Sequence, residues 1–370
     1  MRAVLAKTAI PIAAVIGALL VGLLAVAALG ADPVRALEAL VQGSLGSRDA
    51  LIETVLKATP LLLVGAGITV AFRTSVINIG GEGQMVAGGL LSTSTALVVP
   101  DLPAWILLPL VLAMGLVGGA VWGGLAGYLK AFWGVNEILS TIMLNIVAVQ
   151  LMNYLLRGPL IDPGEIERGT RIPQTERLPE AADLPLLFGD DRLHSGPLIA
   201  VAAAIFAYIL LWRTTFGLRL RAVGLSQESA KYAGVNVRWS ITSALAISGA
   251  LAGLAGAVLV FGAESHRMVT DGSTAGFTGN AGFNGIVAAL FGGLHPLWTI
   301  PASFLFGALL VGGNSLQRAV QVPSALILAL NGLVVLTVVS TDLVRRRLAA
   351  GTDDAHEAAE LVSAEAEDTS

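Results

Sequence analysis

Cysteine is absent from the 370 residues, and charged side chains are scarce, at 13% of the chain. Without cysteine there are no disulfides, thiolate nucleophiles or cysteine-based metal sites, and four scattered histidines offer no metal-ligand spacing. An average soluble domain has about 25% charged residues. This chain is instead 55% hydrophobic, with a mean hydropathy of +0.78. These deficits indicate that the lipid bilayer is its main solvent.

Catalytic and nucleotide-binding motifs are also missing. No lysine stands in the phosphate-binding pattern G-x-x-x-x-G-K-[ST], because Lys7-Thr8 has no preceding glycine. We find no Ser/His/Asp set in a catalytic context, no H-E-x-x-H zinc motif and no nucleic-acid-binding module. The sequence therefore predicts a protein that is not an enzyme and binds neither a cofactor nor nucleic acid. Uphill transport would draw its energy from another subunit or from an ion gradient.

Apolar runs that reach or approach the roughly 20 residues of a membrane span recur along the chain. The run at 50–72 qualifies if Glu53 and Lys57, one helical turn apart, form a pair. The glycine-rich run at 272–294 is predicted to combine an irregular entry with a short helix from Phe283. The other runs carry no charge and cover 9–31, 83–100, 103–129, 138–156, 195–212, 239–263, 296–317 and 319–341. The predicted fold class is an all-α, polytopic transmembrane helical bundle of about ten spans.

Charge placement predicts the orientation and the domain boundaries. Lys and Arg in alternate connections favour a cytoplasmic position for both termini. Residues 352–370 hold seven acids and no Lys or Arg, whereas elsewhere 22 bases outnumber the acids. We therefore expect a transmembrane domain over 1–345 and a disordered, acidic cytoplasmic tail over 346–370. The uncharged run at 9–31 exceeds the roughly 7–15 residues of a signal-peptide core, so we expect a retained first span.

A weak internal repeat relates two glycine-rich breaks. Aligning Gly81 with Gly282 pairs Met85-Val86-Ala87 with Ile286-Val287-Ala288, and each run opens a helix. On the predicted topology these two helices run in opposite directions. Inverted repeats with broken helices are the pattern by which transporters build a midplane site. The match covers few residues, so coincidence in Gly/Ala-rich sequence is the alternative.

The first break, N-I-G-G-E-G-Q, carries Asn78, Glu82 and Gln84 between apolar runs. An ionisable residue inside the membrane is costly unless it faces a cavity or a partner. We therefore predict that these three side chains line the pathway of a neutral polar solute. The alternative is a polar turn that packs two spans, with Glu82 satisfied by backbone amides at the next helix start.

Asn136, Glu137 and Asn145 belong to a second polar stretch, G-V-N-E-I-L-S-T-I-M-L-N. We assign all three to the substrate pathway. A helix cap followed by a first-turn acid is an equally good interpretation of Asn136 and Glu137. Asn145 has its own alternative, because asparagine between spans also joins helices through hydrogen bonds.

The second break, around 276–286, combines aromatic and amide side chains. Planar heterocycles stack on aromatic rings, and amides hydrogen-bond their edges. Phe283 and Asn284 are the preferred substrate contacts, although filling apolar space is the commoner role of a single phenylalanine. The predicted pathway residues of this break are Phe277, Asn280, Phe283 and Asn284.

Between the spans, the segment 214–236 is predicted to contain a short amphipathic helix. Ser226 would cap it, Glu228 would lie in its first turn and Gly234 would end it. One face of this helix would be formed by Ala230, Tyr232 and Ala233.

These motifs, with R-A-V-G-L-S-Q-E-S-A-K-Y-A-G-V-N between them, resemble the binding-protein-dependent permeases of ABC importers, the family that includes ribose, nucleoside and branched-chain amino-acid types. N-I-G-G-E-G-Q and G-V-N-E are most similar to the nucleoside branch. The resemblance implies a bacterial cytoplasmic-membrane permease that works with a second homologous permease, cytoplasmic ATPase subunits that use the ATP, and an extracytoplasmic substrate-binding protein. It also implies ATPase coupling through Arg221, Glu228, Ala230, Tyr232 and Gly234.

Two other functions stay open at this stage. A permease of the same family for simple sugars such as ribose would share most of these motifs. From a different class, an ion-coupled secondary transporter would use Glu82 or Glu137 as its proton carrier.

Overall fold

The computed structural model describes residues 30–187 and 192–321, with Gly332 and some positions between 17 and 28. These residues form helices, joined by loops with two isolated β-bridges. Two compact units are formed, one by Met1–Gly43 with Gly312–Ser370 and the other by Ser44–Val311. The all-α prediction is confirmed.

The α-helices with defined bounds are numbered in chain order. They are α1 Pro33–Leu45, α2 Arg48–Arg73, α3 Gly81–Val98, α4 Ala104–Trp133, α5 Glu137–Arg157, α6 Pro163–Glu167, α7 Gly196–Arg213, α8 Thr215–Leu225, α9 Gln227–Tyr232, α10 Val237–Phe261, α11 Thr274–Thr278, α12 Ala281–Phe291 and α13 Pro296–Val320.

Among the described residues, six helices are long and apolar enough to span a membrane: α2, α4, α5, α7, α10 and α13. The predicted run at 83–100 corresponds to α3, and that at 272–294 is divided between α11 and α12. Glu53 and Lys57 form the expected pair, with Nζ 3.8 Å from Oε1. Most of the runs at 9–31 and 319–341, and all of the acidic tail at 346–370, lie outside the described residues.

The helix α1 was not predicted. Its start carries a recognisable signal, because Asp32 accepts a hydrogen bond from the backbone N–H of Val34 at 2.9 Å and Pro33 occupies the first helical position. Within its own unit, Ala36 packs with Val26 and Leu316 in a small apolar cluster.

Rows of glycine residues allow the central helices of the larger unit to pack closely. On α4, Gly115, Gly119, Gly123 and Gly127 recur every fourth residue and lie against α10. A Cβ atom added at Gly119 would come within 2.0 Å of the carbonyl oxygen of Gly249, so a larger residue would force these helices apart. Small residues allow such close approach between membrane helices.

The helices α3 and α12 begin at the same place and diverge. Gly81 lies against Gly282, the residue with which the repeat aligns it. From there α3 passes Phe277 at Gly89, whereas α12 leads towards Leu294, whose carbonyl accepts a hydrogen bond from Arg73 at 2.8 Å. The opposite directions agree with an inverted pair of broken helices. The short helix begins at Ala281 and not at Phe283, because Asn280 in left-handed conformation ends the preceding turn.

The long loop between α5 and α7 is ordered against the segment after α10. Thr175 and Met268 exchange hydrogen bonds, and the guanidinium of Arg267 pairs with Asp162 at 2.5 Å. Hydrogen bonds from Arg267 and Gly164, with the charge of Arg267, hold the pKa of Asp162 below its usual range. The described part of the loop is therefore built onto the helical bundle.

Candidate functional site

The polar break between α2 and α3 lies deep in the bundle. After Arg73 the chain is non-helical through residue 80, and α3 then begins beside Val64. Val64 lies about 14 Å before the end of α2, because an α-helix rises by about 1.5 Å per residue. Glu82 therefore lies level with the middle of α2, well away from its end.

Glu82 joins the two broken helices. Its side chain is 0% exposed. One carboxyl oxygen accepts a hydrogen bond from the backbone N–H of Phe283 at 3.1 Å, in the first turn of α12, and the other accepts one from the hydroxyl of Thr278. Because Glu82 also lies in the first turn of α3, its carboxyl group occupies the point where the positive ends of two helix dipoles meet.

Asn78 and Gln84 form a closed cluster next to Glu82. The Asn78 amide donates to Gln84 Oε1 at 2.9 Å and to Ser248 Oγ at 2.8 Å, and its oxygen accepts from the Gly80 N–H at 2.9 Å. Gln84 Nε2 donates back to Asn78 Oδ1 at 3.1 Å. Both side chains are buried, so their polar atoms are used within the protein.

Asn145 fastens α5 to the same break. Its Oδ1 accepts from the backbone N–H of Gly83 at 2.8 Å, and its Nδ2 donates to the carbonyl of Ile79 at 3.0 Å. The four buried residues of the predicted pathway thus lie together and satisfy one another or the backbone: Asn78, Glu82, Gln84 and Asn145. In this conformation they build the break, and their contact with solute stays a prediction.

Asn136 and Glu137 lie apart from this cluster, at the start of α5. Asn136 caps the helix by accepting from the N–H groups of Ile138 at 2.9 Å and Leu139 at 3.2 Å. Glu137 pairs with Lys130 at 2.8 Å. Both contacts are ordinary helix-end chemistry, as the alternative interpretation holds.

The residues of the second break divide into two groups. Phe277 is half-buried against the main core and lies over Gly89. Asn280 is exposed, Phe283 is 44% exposed, and Asn284 is half-buried beside it. Asn280, Phe283 and Asn284 therefore form a surface at the start of α12. Of the predicted site, this is the part that solute or another chain can reach.

The segment 214–236 folds as α8 and α9, which we call the elbow. Ser226 caps α9 by accepting from the Ser229 N–H at 3.2 Å, and Gly234 follows the helix end with a φ of +80°. The predicted common face is wrong, because Ala230 is 4% exposed whereas Tyr232 is 94% exposed. Residues two apart lie on different sides of a helix. Ala230 packs in an apolar cluster, whereas the side chain of Tyr232 is open to a partner.

The elbow is attached to the end of α2. Gly224 lies so close to Arg73 that a Cβ atom would come within 2.1 Å of its carbonyl oxygen, and the hydroxyl of Ser75 donates to the Gly224 carbonyl at 2.6 Å. The elbow therefore touches the residues that lead directly into the buried break.

A cationic and aromatic cluster, which the sequence analysis did not identify, borders the elbow. The guanidinium groups of Arg73 and Arg221 lie 5.4 and 5.7 Å from the ring centre of Trp212. His295 packs on the same ring at 4.8 Å. Burial and the nearby charge of Arg73 lower the pKa of His295. Only the tertiary structure brings these four residues together.

Comparisons with known proteins agree with this architecture. The family described as "Branched-chain amino acid transport system / permease component" matches residues 50–339. A glucose ABC transporter permease of Haloferax volcanii is 34% identical over 91% of this chain and 88% of its own. A guanosine ABC transporter permease of Bacillus subtilis is 34% identical over 91% and 94%, and a nucleoside ABC transporter permease of Lactococcus lactis is 30% identical over 84% and 85%. The chain is a multi-pass membrane transport component that belongs to this family of ABC transporter permeases.

Proposed function

We propose that this chain is a permease subunit of an ATP-driven importer for nucleosides. It would lie in a bacterial cytoplasmic membrane with both termini inside, beside a second homologous permease. Cytoplasmic ATPases would bind the elbow, with Arg221, Glu228, Tyr232 and Gly234 at or near the contact. An extracytoplasmic binding protein would deliver the solute.

The observation that carries the proposal is the position of Glu82. In transporters with broken helices, the positive helix ends point at anionic groups of the substrate, such as an amino-acid carboxylate. Here the protein's own carboxyl group already occupies the point where α3 and α12 begin. This arrangement supports a neutral solute, such as a nucleoside or a sugar, over a branched-chain amino acid.

The nucleoside assignment rests on the motifs N-I-G-G-E-G-Q and G-V-N-E and on the two relatives named for guanosine and nucleosides. A sugar such as glucose or ribose is the second candidate, because the Haloferax relative is named for glucose. An ion-coupled mechanism is less well supported. Glu82 accepts hydrogen bonds from Phe283 and Thr278, and Glu137 pairs with Lys130, so both acids have structural partners in this conformation.

The test is uptake by the complete transporter, purified through a tag on this chain and reconstituted in liposomes with its binding protein. We expect ATP-dependent accumulation of guanosine that a protonophore leaves unchanged. Accumulation of glucose without nucleosides would transfer the assignment to sugars. Accumulation of leucine alone would contradict both candidates, and uptake that survives ATP removal would contradict the ABC mechanism.

A further inference from the structure

The end of α5 opposite the elbow carries a cleft, lined mainly by residues with polar side chains, that the proposed transport pathway does not yet use. Its volume is about 720 Å³, and it is lined by Gln150, Asn153, Tyr154, Arg157, Gly158 and Gly272. On the proposed orientation this end of α5 faces outwards, where solute arrives. We propose that this cleft is an entry site for 6-oxopurine nucleosides, an inference that rests on the proposed function.

Three of the lining side chains lie on one face of α5 and are available to bind a ligand. Gln150, Tyr154 and Arg157 are spaced by four and three residues, which places them on one face of the helix. All three are exposed, and Tyr154 is 67% exposed. Within the ranges 30–187 and 192–321, none of the three side chains has a hydrogen bond, ion pair or ring contact.

The floor of the cleft is fixed in place. Asn153 donates to the carbonyl of Gly272 at 3.1 Å, and its oxygen accepts from the Thr270 hydroxyl at 3.2 Å. Thr270 in turn accepts from the Gly272 N–H at 3.0 Å. These bonds connect α5 to the segment that leads into α11 and α12. The cleft therefore adjoins the chain that carries Phe277 and Phe283.

The available groups match one class of ligand. A tyrosine ring stacks on the face of a base, whatever the base. An arginine guanidinium donates two hydrogen bonds to the O6 and N7 atoms of guanine, and it finds a donor in place of O6 on adenine. An amide such as that of Gln150 bonds ring edges or ribose hydroxyls. Guanosine and inosine would bond or stack with all three groups. Adenosine would instead place its amino group, a donor, against the donors of Arg157.

A role in anchoring α5 at the membrane interface would explain only two of the three side chains, Tyr154 and Arg157. Tyrosine is enriched at membrane interfaces, and arginine is favourable at a helix C-terminus. Neither preference explains an exposed Gln150 within a span, since polar side chains there face a cavity or a partner. A solute-binding role accounts for all three residues together.

The test uses the complete transporter with Tyr154→Leu and Arg157→Gln. We expect the KM for guanosine uptake to rise about tenfold in each variant, as the loss of one base stack or bidentate contact implies. Arg157→Gln should also reduce the preference for guanosine over adenosine. The matched controls are Tyr128→Leu, near the opposite end of the bundle, and Arg177→Gln, on the long loop, and both should leave KM unchanged.

Saturation-transfer NMR on nanodiscs that contain the transporter without its binding protein gives a second readout. Guanosine should show transfer that Tyr154→Leu abolishes. Unchanged KM and unchanged transfer in both variants would overturn the entry site even if guanosine is transported. Transport of glucose without nucleosides would instead overturn the proposed function, and with it the 6-oxopurine assignment. Loss of binding-protein affinity, with solute transfer intact, would show a docking surface and contradict the proposal.

Discussion

The buried break and the outer cleft both contain amides and one ionisable residue, yet they differ in what those groups bond. At the break, the side-chain polar atoms of Asn78, Glu82 and Asn145 have hydrogen-bond partners within the protein. At the cleft, the side chains of Gln150 and Arg157 form no hydrogen bond or ion pair with the described part of the chain. Polar residues in a membrane protein can thus hold the fold or remain free for a ligand, and only their partners distinguish the two.

Among the substitutions that test this comparison, Glu82→Leu should cause the largest loss of stability. It removes the acceptor of the half-buried Phe283 N–H and of the buried Thr278 hydroxyl, and opens the contact between α3 and α12. We expect a loss of about 3 kcal/mol in the free energy of unfolding, because the Phe283 N–H loses its acceptor and the Thr278 hydroxyl keeps only the carbonyl of Thr274. Thermal unfolding in detergent, followed by size-exclusion chromatography, measures it. Gln150→Leu is the matched control and should unfold like the wild type; equal stability of the two variants would remove the contrast.

Asn145→Leu should cost less, about 2 kcal/mol, because it leaves the Gly83 N–H and the Ile79 carbonyl without partners but breaks no charged contact. The same unfolding measurement applies. Asn145→Asp retains the acceptor for Gly83 and should lose only part of this stability. A variant with wild-type stability and a raised KM would instead assign Asn145 to the solute.

Asn136→Ala should cost about 1 kcal/mol, the usual loss when an asparagine helix cap is removed. Because Asn136 lies at the start of α5, away from both the break and the cleft, the KM for solute should not change. Asn136→Ser, which can still cap, is the control. A changed KM with unchanged stability would instead support the predicted pathway role of Asn136.

Tyr232→Asp should have the smallest effect on stability, below about 0.5 kcal/mol, since the side chain is 94% exposed. If the elbow binds the ATPase, uptake and solute-stimulated ATP hydrolysis should both fall at least about tenfold, since a new acid in an apolar contact disfavours binding. Leu186→Asp, an equally drastic change at an exposed residue of the long loop, is the control. Wild-type uptake by Tyr232→Asp would exclude this residue from the coupling contact.

The sequence predicted most of the fold because its signals are local. Long uncharged runs determine membrane spans, and the glycine-rich breaks and the Ser226 cap are visible in the residues themselves. The repeat that pairs Gly81 with Gly282 also identified two residues that touch. Sequence reasoning erred where side-chain direction mattered, as at Tyr232 and Ala230.

The depth of the polar side chains, their hydrogen-bond partners and their exposure depended on the tertiary structure. Whether Glu82 faces solute or the first turn of α12 depends on residues about 200 positions away, which no local pattern contains. The same holds for the cluster around Trp212 and for the cleft at Gln150, where distant segments meet. The sequence by itself determined that this chain spans the membrane with two polar breaks, because hydropathy is a property of each residue. Only the folded chain decided which polar groups are satisfied, because each hydrogen bond needs a partner that packing brings near.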